Sequence, residues 1–266
     1  MSESAYLQAM FAGLTDHLDH LLIALAAGFL GAFIRGYSGF GFALTAVPVL
    51  TLALPPAQAV PAVLPLELLL GLGTIPGQRD HVAWPTMGWL VLGTAIGTPI
   101  GIAVLASMPA AVMRLVVGGV VLLSAALLWR RPGMPDMLEP APLCAAGFTS
   151  GLLNGGTAMS GPPVILALLG SGLEPRMARA TLMVFVALSA MWAASGAAFG
   201  GLYTHRTLSA MLIMLPAVAV GGFAGAALFR FMPHARYRAA SLGILAAITA
   251  IAIGTAGWNM ATGGPR

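Results

Sequence analysis

The sequence predicts an all-α integral membrane protein with about ten hydrophobic segments, arranged as two inverted five-segment repeats with broken or re-entrant helices. Three observations predict this fold: an apolar composition, hydrophobic runs near spanning length, and an internal repeat. Hydrophobic residues make up 59% of the 266 positions and charged residues only 8%. Soluble domains carry roughly 25% charged residues. Together with a mean hydropathy of +0.92, this composition excludes an ordinary soluble protein.

The predicted segments follow from the apolar runs, since a full span needs about 20 such residues. They are 20–34, 40–54, 57–76, 86–106, 111–129, 142–153, 159–170, 177–200, 207–229 and 236–257. Two neighbouring pairs, 20–34 with 40–54 and 142–153 with 159–170, are short, and a Gly-rich polar break divides each pair. Such pairs are typical of broken helices or re-entrant hairpins.

Arginine placement predicts the orientation, because cytoplasmic loops are enriched in basic residues. On the ten-segment reading, the odd-numbered loops hold nine arginines: Arg35, Arg79, Arg130, Arg131, Arg176, Arg179, Arg230, Arg236 and Arg238. The even-numbered loops and both tails hold three, which are Arg114, Arg206 and Arg266. We therefore expect both termini outside the cytoplasm. The N-terminus lacks the basic region of a signal peptide, so the first segment is expected to remain in the protein.

The internal repeat appears when the sequence is shifted by 119 residues, which places "AGF" at 27–29 on "AGF" at 146–148 and Pro56 on Pro175. Further along, a shift of 124 places Gly97 on Gly221 and Gly101 on Gly225. An odd number of segments in each copy makes the second copy enter the membrane from the opposite side. The predicted organisation is an extracytoplasmic tail (1–19), a first repeat (20–131), a cytoplasmic linker (132–141), a second repeat (142–258) and a C-terminal tail (259–266).

The two Gly-rich breaks are the predicted substrate site, because inverted-repeat transporters hold substrate between broken helices near the midplane. Helix N-termini at such breaks offer unpaired N–H donors and partial positive charge, so the site favours an anion. Hydroxyl, amide and guanidinium groups in the breaks would add further donors. The candidate substrate-binding residues are Arg35, Gly36, Tyr37, Ser38, Gly39, Phe40, Gly41, Asn154, Gly155, Gly156, Thr157, Ser160 and Gly161.

Three further charged residues are candidates for a role in transport. Glu67 lies among apolar neighbours in "VLPLELLLGL", where an ionisable group is costly, so it is a candidate for proton coupling or a partner for an arginine. Arg176 and Arg179 begin a late segment and would make a cytoplasmic mouth that attracts anions. Their alternative role is simple anchoring at the membrane surface.

Several chemistries find no support in the sequence. No nucleophile, base and acid occur together, and there is no phosphate-binding loop, so we expect neither an enzyme nor an ATP-driven pump. The single cysteine, Cys144, fits a small buried apolar residue, and no metal-ligand spacing occurs, so no cofactor or metal is expected. Basic residues are not clustered as a nucleic-acid partner requires.

The chain resembles the sulfite exporter TauE/SafE family, also called the 4-toluene sulfonate uptake permeases. The resemblance rests on "GAFIRGYSGFGFALTAVPVL" and "GFTSGLLNGGTAMSGPPVILALL", supported by "PPAQAVPAVLPLELL" and "EPRMARATLMVF". It implies a carrier for small sulfur-containing anions, such as sulfite or organosulfonates, in the bacterial inner membrane.

The expected function is therefore secondary transport of such an anion by alternating access, possible coupling ions being a proton or sodium. The alternatives are a passive anion channel, a carrier of a different small carboxylate or of a metal ion, and a membrane subunit that serves a partner enzyme. The expected partners are the anion and the lipid bilayer, and the sequence specifies no oligomeric state.

Overall fold

A computed structural model describes residues 3–38, 40–73, 75–130 and 139–229 of the chain. In that part the secondary structure is helical, as predicted. The helices are α1 (Glu3–Ser38), α2 (Phe42–Leu50), α3 (Pro56–Leu72), α4 (Trp84–Ser107), α5 (Ala110–Arg130), α6 (Pro140–Thr157), α7 (Gly161–Gly170), α8 (Pro175–Phe199) and α9 (His205–Phe229). Two short 3-10 turns, Ile75–Gly77 and Arg79–His81, join α3 to α4. The predicted segment 236–257 and the C-terminal tail lie outside the described residues.

Within the described ranges, four helices contain stretches long and apolar enough to cross a membrane: Leu18–Gly36, Trp84–Ser107, Arg176–Phe199 and His205–Leu228. Shorter apolar helices occupy Pro56–Leu72, Ala110–Ala126 and Gly161–Gly170. Large apolar side chains point outward from these elements, and Phe199 and Phe223 are 93% and 80% exposed. Exposed aromatic side chains of this size fit a surface that faces lipid. The predicted membrane protein is confirmed in this form.

Helix α1 extends further in both directions than the predicted segment 20–34. Residues 3–19 are helical, and their expected place as an extracytoplasmic tail stays a prediction. The same helix continues through Ser38, so Arg35 and Gly36 are helical rather than part of a break. A continuous helix satisfies its own backbone N–H and C=O groups, which is the cheapest arrangement in an apolar environment. Helix α6 likewise runs through Thr157 before it ends.

Prolines define the starts of most of the remaining helices. Proline stands in the first two positions of α3, α4, α6, α7 and α8. Its missing N–H costs nothing there, and its fixed φ suits the first turn. The starts of α2 and α7, Phe42 and Gly161, lie 119 positions apart, as do the starts of α3 and α8.

Close backbone packing joins α4 to α6 and α1 to α9. A Cβ atom on Gly97 of α4 would collide with the carbonyl oxygen of Phe148, and one on Gly221 of α9 would collide with that of Phe29. These two contacts are equivalent under the repeat, since the glycines differ by 124 positions and the phenylalanines by 119. Small residues at such positions let helix backbones approach where bulkier residues would hold them apart.

Three more glycine contacts have an equivalent contact in the other copy. In each contact, a Cβ atom on the glycine would collide with a backbone oxygen of the partner residue. They are Gly101 with Leu152 and Gly225 with Phe33, Gly147 with Leu90 and Gly28 with Met214, and Gly155 with Thr98 and Gly36 with Gly222. The packing of α4 on α6 therefore has the residue-level pattern of the packing of α9 on α1.

The short helices lie inside this frame. All nine residues of α2 are buried, and so are Val164 to Leu168 of α7. A helix that is apolar all round belongs in the interior of its protein. Helices α3 and α8 pack against each other beside them. The two breaks that precede α2 and α7 are consequently placed in the interior of the molecule.

Candidate functional site

The starts of α2 and α7 meet at the centre of the molecule. Helix α2 begins after Gly41, whose φ of 94° is in the left-handed region that glycine adopts without strain. Helix α7 begins after Ser160. Neither start has a side-chain hydrogen bond from its capping residue. The N–H groups of the first turn of α2 therefore lack the usual side-chain acceptor. In α7 the first turn offers the N–H of Gly161, because Pro162 and Pro163 have none. Both helix dipoles place partial positive charge at these starts.

A small cavity lies between these two helix starts. Its volume is about 10 Å³, which is about the room that a single water molecule needs. The residues that line it come from both breaks and from α2, α3 and α8: Phe40, Gly41, Ala43, Leu44, Glu67, Ala158, Met159, Ser160, Gly161 and Val186. The structure thus brings together four of the predicted substrate-binding residues, Phe40, Gly41, Ser160 and Gly161, with the predicted coupling residue.

Arg35 and Glu67 form a buried ion pair beside this cavity. Arg35 Nη1 donates to Glu67 Oε1 at 3.3 Å, and the two side chains are 4% and 5% exposed. One atom of each group, Arg35 Nη2 and Glu67 Oε2, is buried without a hydrogen-bond partner in the described part of the chain. Buried polar atoms normally find a partner, so these two are open to a ligand or a water molecule. Of the pair, Glu67 is the residue that reaches the cavity wall.

Asn154 occupies the position in α6 that Arg35 occupies in α1, 119 residues earlier. It is fully buried, and its Nδ2 donates to the carbonyl oxygen of Ser189 in α8 at 2.8 Å. Its Oδ1 is buried without a partner among the described residues. In each half, therefore, the polar residue of the first helix contacts the third helix. Only in the first half are the residues at this contact charged.

The other predicted site residues fall outside the cavity wall. Gly36 and Gly155 provide close helix packing against Gly222 and Thr98. Thr157 is buried and donates its hydroxyl to the carbonyl oxygen of Leu153 in its own helix. Gly156 lies near Gly101 and the Met113 side chain. The side chains of Tyr37 and Ser38, and all of Gly39, lie outside what the structure describes.

Arg176 and Arg179 are exposed in the first turns of α8 and do not line the cavity. Their predicted part as a cytoplasmic mouth stays a prediction. They stand at the opposite end of the helix from Phe199.

Sequence reasoning missed five residues at the cavity: Ala43 and Leu44 in the first turn of α2, Ala158 and Met159 in the second break, and Val186 of α8. Ala158 has a φ of 61°, which is uncommon for a residue with a Cβ atom. The repeat itself carried a signal for Val186, because it lies 119 positions after Glu67. These residues are apolar, so their residue types did not mark them as site residues.

Among the described residues, no group of three or more His, Cys, Asp or Glu side chains is placed to hold a metal ion. The metal-carrier alternative therefore gains no support from this part of the chain. The groups near the centre that could donate to an oxyanion are the Arg35 guanidinium and the backbone N–H groups of the helix starts, whereas Glu67 Oε2 and Asn154 Oδ1 are acceptors.

Comparison with known proteins agrees with this chemistry. The family described as "Sulfite exporter TauE/SafE" matches residues 24–252. A protein of Cupriavidus necator described as "Probable sulfite/organosulfonate exporter TauE" is 26% identical over 237 residues, which cover 83% of this chain and 88% of that protein. No solved structure matches the chain.

The family match spans nearly the whole chain, including both helix breaks and Glu67. Members of this family are membrane transporters and not enzymes. On these grounds the chain belongs to the sulfite exporter TauE/SafE family.

Proposed function

We propose that this protein is a secondary transporter that moves a small sulfur-containing anion, such as sulfite or an organosulfonate, across the bacterial inner membrane. The observation that carries the proposal is the meeting of the α2 and α7 starts at one buried cavity beside the Arg35–Glu67 pair. Two helix N-termini aimed at one space favour an anion. The name of the Cupriavidus necator relative supports a sulfur oxyanion within that class.

Alternating access is the proposed mechanism, and two inverted five-segment repeats are its proposed scaffold. The four pairs of equivalent glycine contacts support the repeat. A cavity of about 10 Å³ is too small for any sulfur oxyanion, so binding requires the surrounding helices to separate. Alternating access, in which one repeat moves against the other around the site, would supply that separation.

Glu67 is the proposed coupling residue. Its carboxylate lies between Arg35 and the cavity, so an anion entering there approaches a negative charge first. Protonation of Glu67 would remove that repulsion and release Arg35 to hold the anion with its guanidinium fork. Anion binding would then be linked to the uptake of one proton by the same site.

The membrane potential bears on direction. With the interior negative, each negative charge that leaves the cell gains about 2.3 kcal/mol per 100 mV. The membrane potential alone therefore favours export of an anion, whereas uptake against that potential needs a coupled cation. Both termini are proposed to lie outside the cytoplasm, as the arginine distribution predicts.

Thermal unfolding of the purified protein in a series of anions tests the proposed substrate class. A ligand at 100 times its dissociation constant should add about 2.7 kcal/mol to the free energy of unfolding. We expect sulfite or a sulfonate to raise the melting temperature, with phosphate and simple carboxylates as controls. Stabilisation by a divalent metal, with none by any sulfur anion, would overturn the proposal.

A further inference from the structure

A second cavity lies between the middle of α1 and the start of α9. Its walls are the middle of α1, the end of α2 with the connection to α3, and the first turns of α9, and its volume is about 510 Å³. Cavities that hold small organic ligands measure roughly 300–1,000 Å³. This cavity therefore has room for an organic molecule, which the central one lacks.

The chemistry of its walls is basic on one side and apolar elsewhere. His20, His205 and Arg206 line it, and no acidic residue is among its described lining residues. Asp19, next to His20 in the chain, is exposed and does not reach the cavity. His20 Nε2 lies 3.1 Å from the carbonyl oxygen of Ala53, which fixes the ring against the α2–α3 connection. The apolar part of the wall comes from Leu21, Ala24, Leu50, Leu54, Ala210 and Ile213.

We propose that this cavity binds a soluble amphipathic organic anion, a sulfonate or carboxylate attached to an aromatic or alkyl body. The Arg206 guanidinium would hold the anionic head with two parallel hydrogen bonds. Ser209, one turn further along α9, would add a hydroxyl donor. The apolar wall would cover the organic body, because burial of apolar surface is favourable in proportion to its area. Inorganic sulfite lacks such a body and gains only the polar contacts.

The second cavity and the central one lie at opposite ends of α2. Gly41 lines the central cavity, and Leu50 lines the second. Nine helical residues at 1.5 Å each place them about 13 Å apart along the helix. On the proposed function, the second cavity would be a vestibule that concentrates organic anions next to the transport site. Binding there does not depend on transport, so the two proposals can fail separately.

Cysteine protection tests the site. The variant Cys144→Ala with Ile213→Cys, in bilayers of neutral phosphatidylcholine, carries one reactive thiol in the apolar part of the cavity wall. We expect naphthalene-2-sulfonate to slow modification of that thiol by an anionic methanethiosulfonate reagent. Sulfite and the neutral naphthalene-2-sulfonamide should leave the rate unchanged. Adding Arg206→Gln should weaken protection by about tenfold in sulfonate concentration, as expected for the loss of one charge-assisted hydrogen bond.

The following four results would each contradict the proposed binding site or one of its parts. An unreactive thiol would mean that the cavity is closed, and equal protection by sulfite would mean that the apolar wall contributes nothing. Full protection by anionic phosphatidylglycerol in the bilayer, with no further effect of the sulfonate, would assign the cavity to lipid. Unchanged protection in Arg206→Gln, at an unchanged melting temperature, would remove Arg206 from the site. Protection that survives while sulfite transport is absent from the parent protein would overturn the proposed function alone.

Discussion

Arg35 and Glu67 show what a single residue can and cannot reveal before the fold is known. Each stands out in sequence because an ionisable group is expensive among apolar neighbours. An arginine partner was one of two roles predicted for Glu67, and the structure places Arg35 at 3.3 Å from it. Their pairing across 32 positions was not predictable, since it depends on a tertiary arrangement in which α1 and α3 both pack against α9. The helical state of Arg35 was missed because the glycines after it looked like the break.

Removing one partner of this pair should destabilise the protein more than removing both. Arg35→Gln or Glu67→Gln alone leaves a buried charge uncompensated, which costs about 3–5 kcal/mol. The double variant has no such charge and should recover most of that loss. Thermal unfolding of the wild type and the three variants measures the coupling as a double-mutant cycle. Additive losses would mean that the two side chains do not stabilise each other.

The same variants test coupling through Glu67. In sealed proteoliposomes, a Glu67→Gln protein that folds should move the anion without an accompanying proton, because its amide cannot take one up. A pH-sensitive dye inside the vesicles, read alongside anion flux, measures this. A proton flux equal to that of the wild type would exclude Glu67 as the coupling group.

At the scale of elements, hydrophobic runs predicted the existence of α1 to α9 and most of their ends within a few residues. The two breaks were predicted in the right connections, but about three residues too early. Gly36, Gly155 and Gly156 were assigned to the breaks because glycine is a poor helix former. In the structure, Gly36 and Gly155 instead let α1 meet α9 and α6 meet α4. Periodicity within one helix cannot tell a packing glycine from a breaking one.

Gly97→Ala should separate α4 from α6, because its Cβ would collide with the Phe148 carbonyl oxygen. Overpacking of this kind typically costs about 1–3 kcal/mol. Gly88→Ala is the matched control on the same helix, since its Cβ meets nothing within 4 Å. The control should be neutral or slightly stabilising, as alanine is the better helix former. Equal melting temperatures for the two variants would contradict the close packing.

At the scale of the whole molecule, the repeat predicted from weak sequence matches has a counterpart in the packing. Four glycine contacts of the α4–α6 interface have equivalents, at the shifts predicted for the repeat, in the α9–α1 interface. A repeat can be detected in sequence because the residues that match after a shift occur in the same order in both copies, even where identities are few. The second cavity was not predictable, because its walls come from three regions of the chain.

An inverted repeat makes a topological prediction. His81 and His205 lie 124 positions apart, as the predicted repeat requires; His81 ends the 3-10 turn before α4, and His205 begins α9. In a Cys144→Ala background, Asp80→Cys should therefore react with an impermeant thiol reagent only from the cytoplasmic side, and Thr204→Cys only from the outside. Whole cells and inverted vesicles provide the two sides. Labelling of both positions from the same side would contradict the inverted arrangement.

The charge difference between the two halves has a kinetic consequence. If the halves were chemically identical, a two-fold rotation would relate the inward-open state of such a carrier to its outward-open state, and the two states would have equal free energies. Arg35 and Glu67 in one half, against Asn154 and Val186 in the other, remove that equality. The carrier would then favour one resting orientation and bind its anion with different affinities on the two sides. On the proposed mechanism, a duplicated scaffold with one unduplicated charge pair would transport its anion with different kinetics in the two directions.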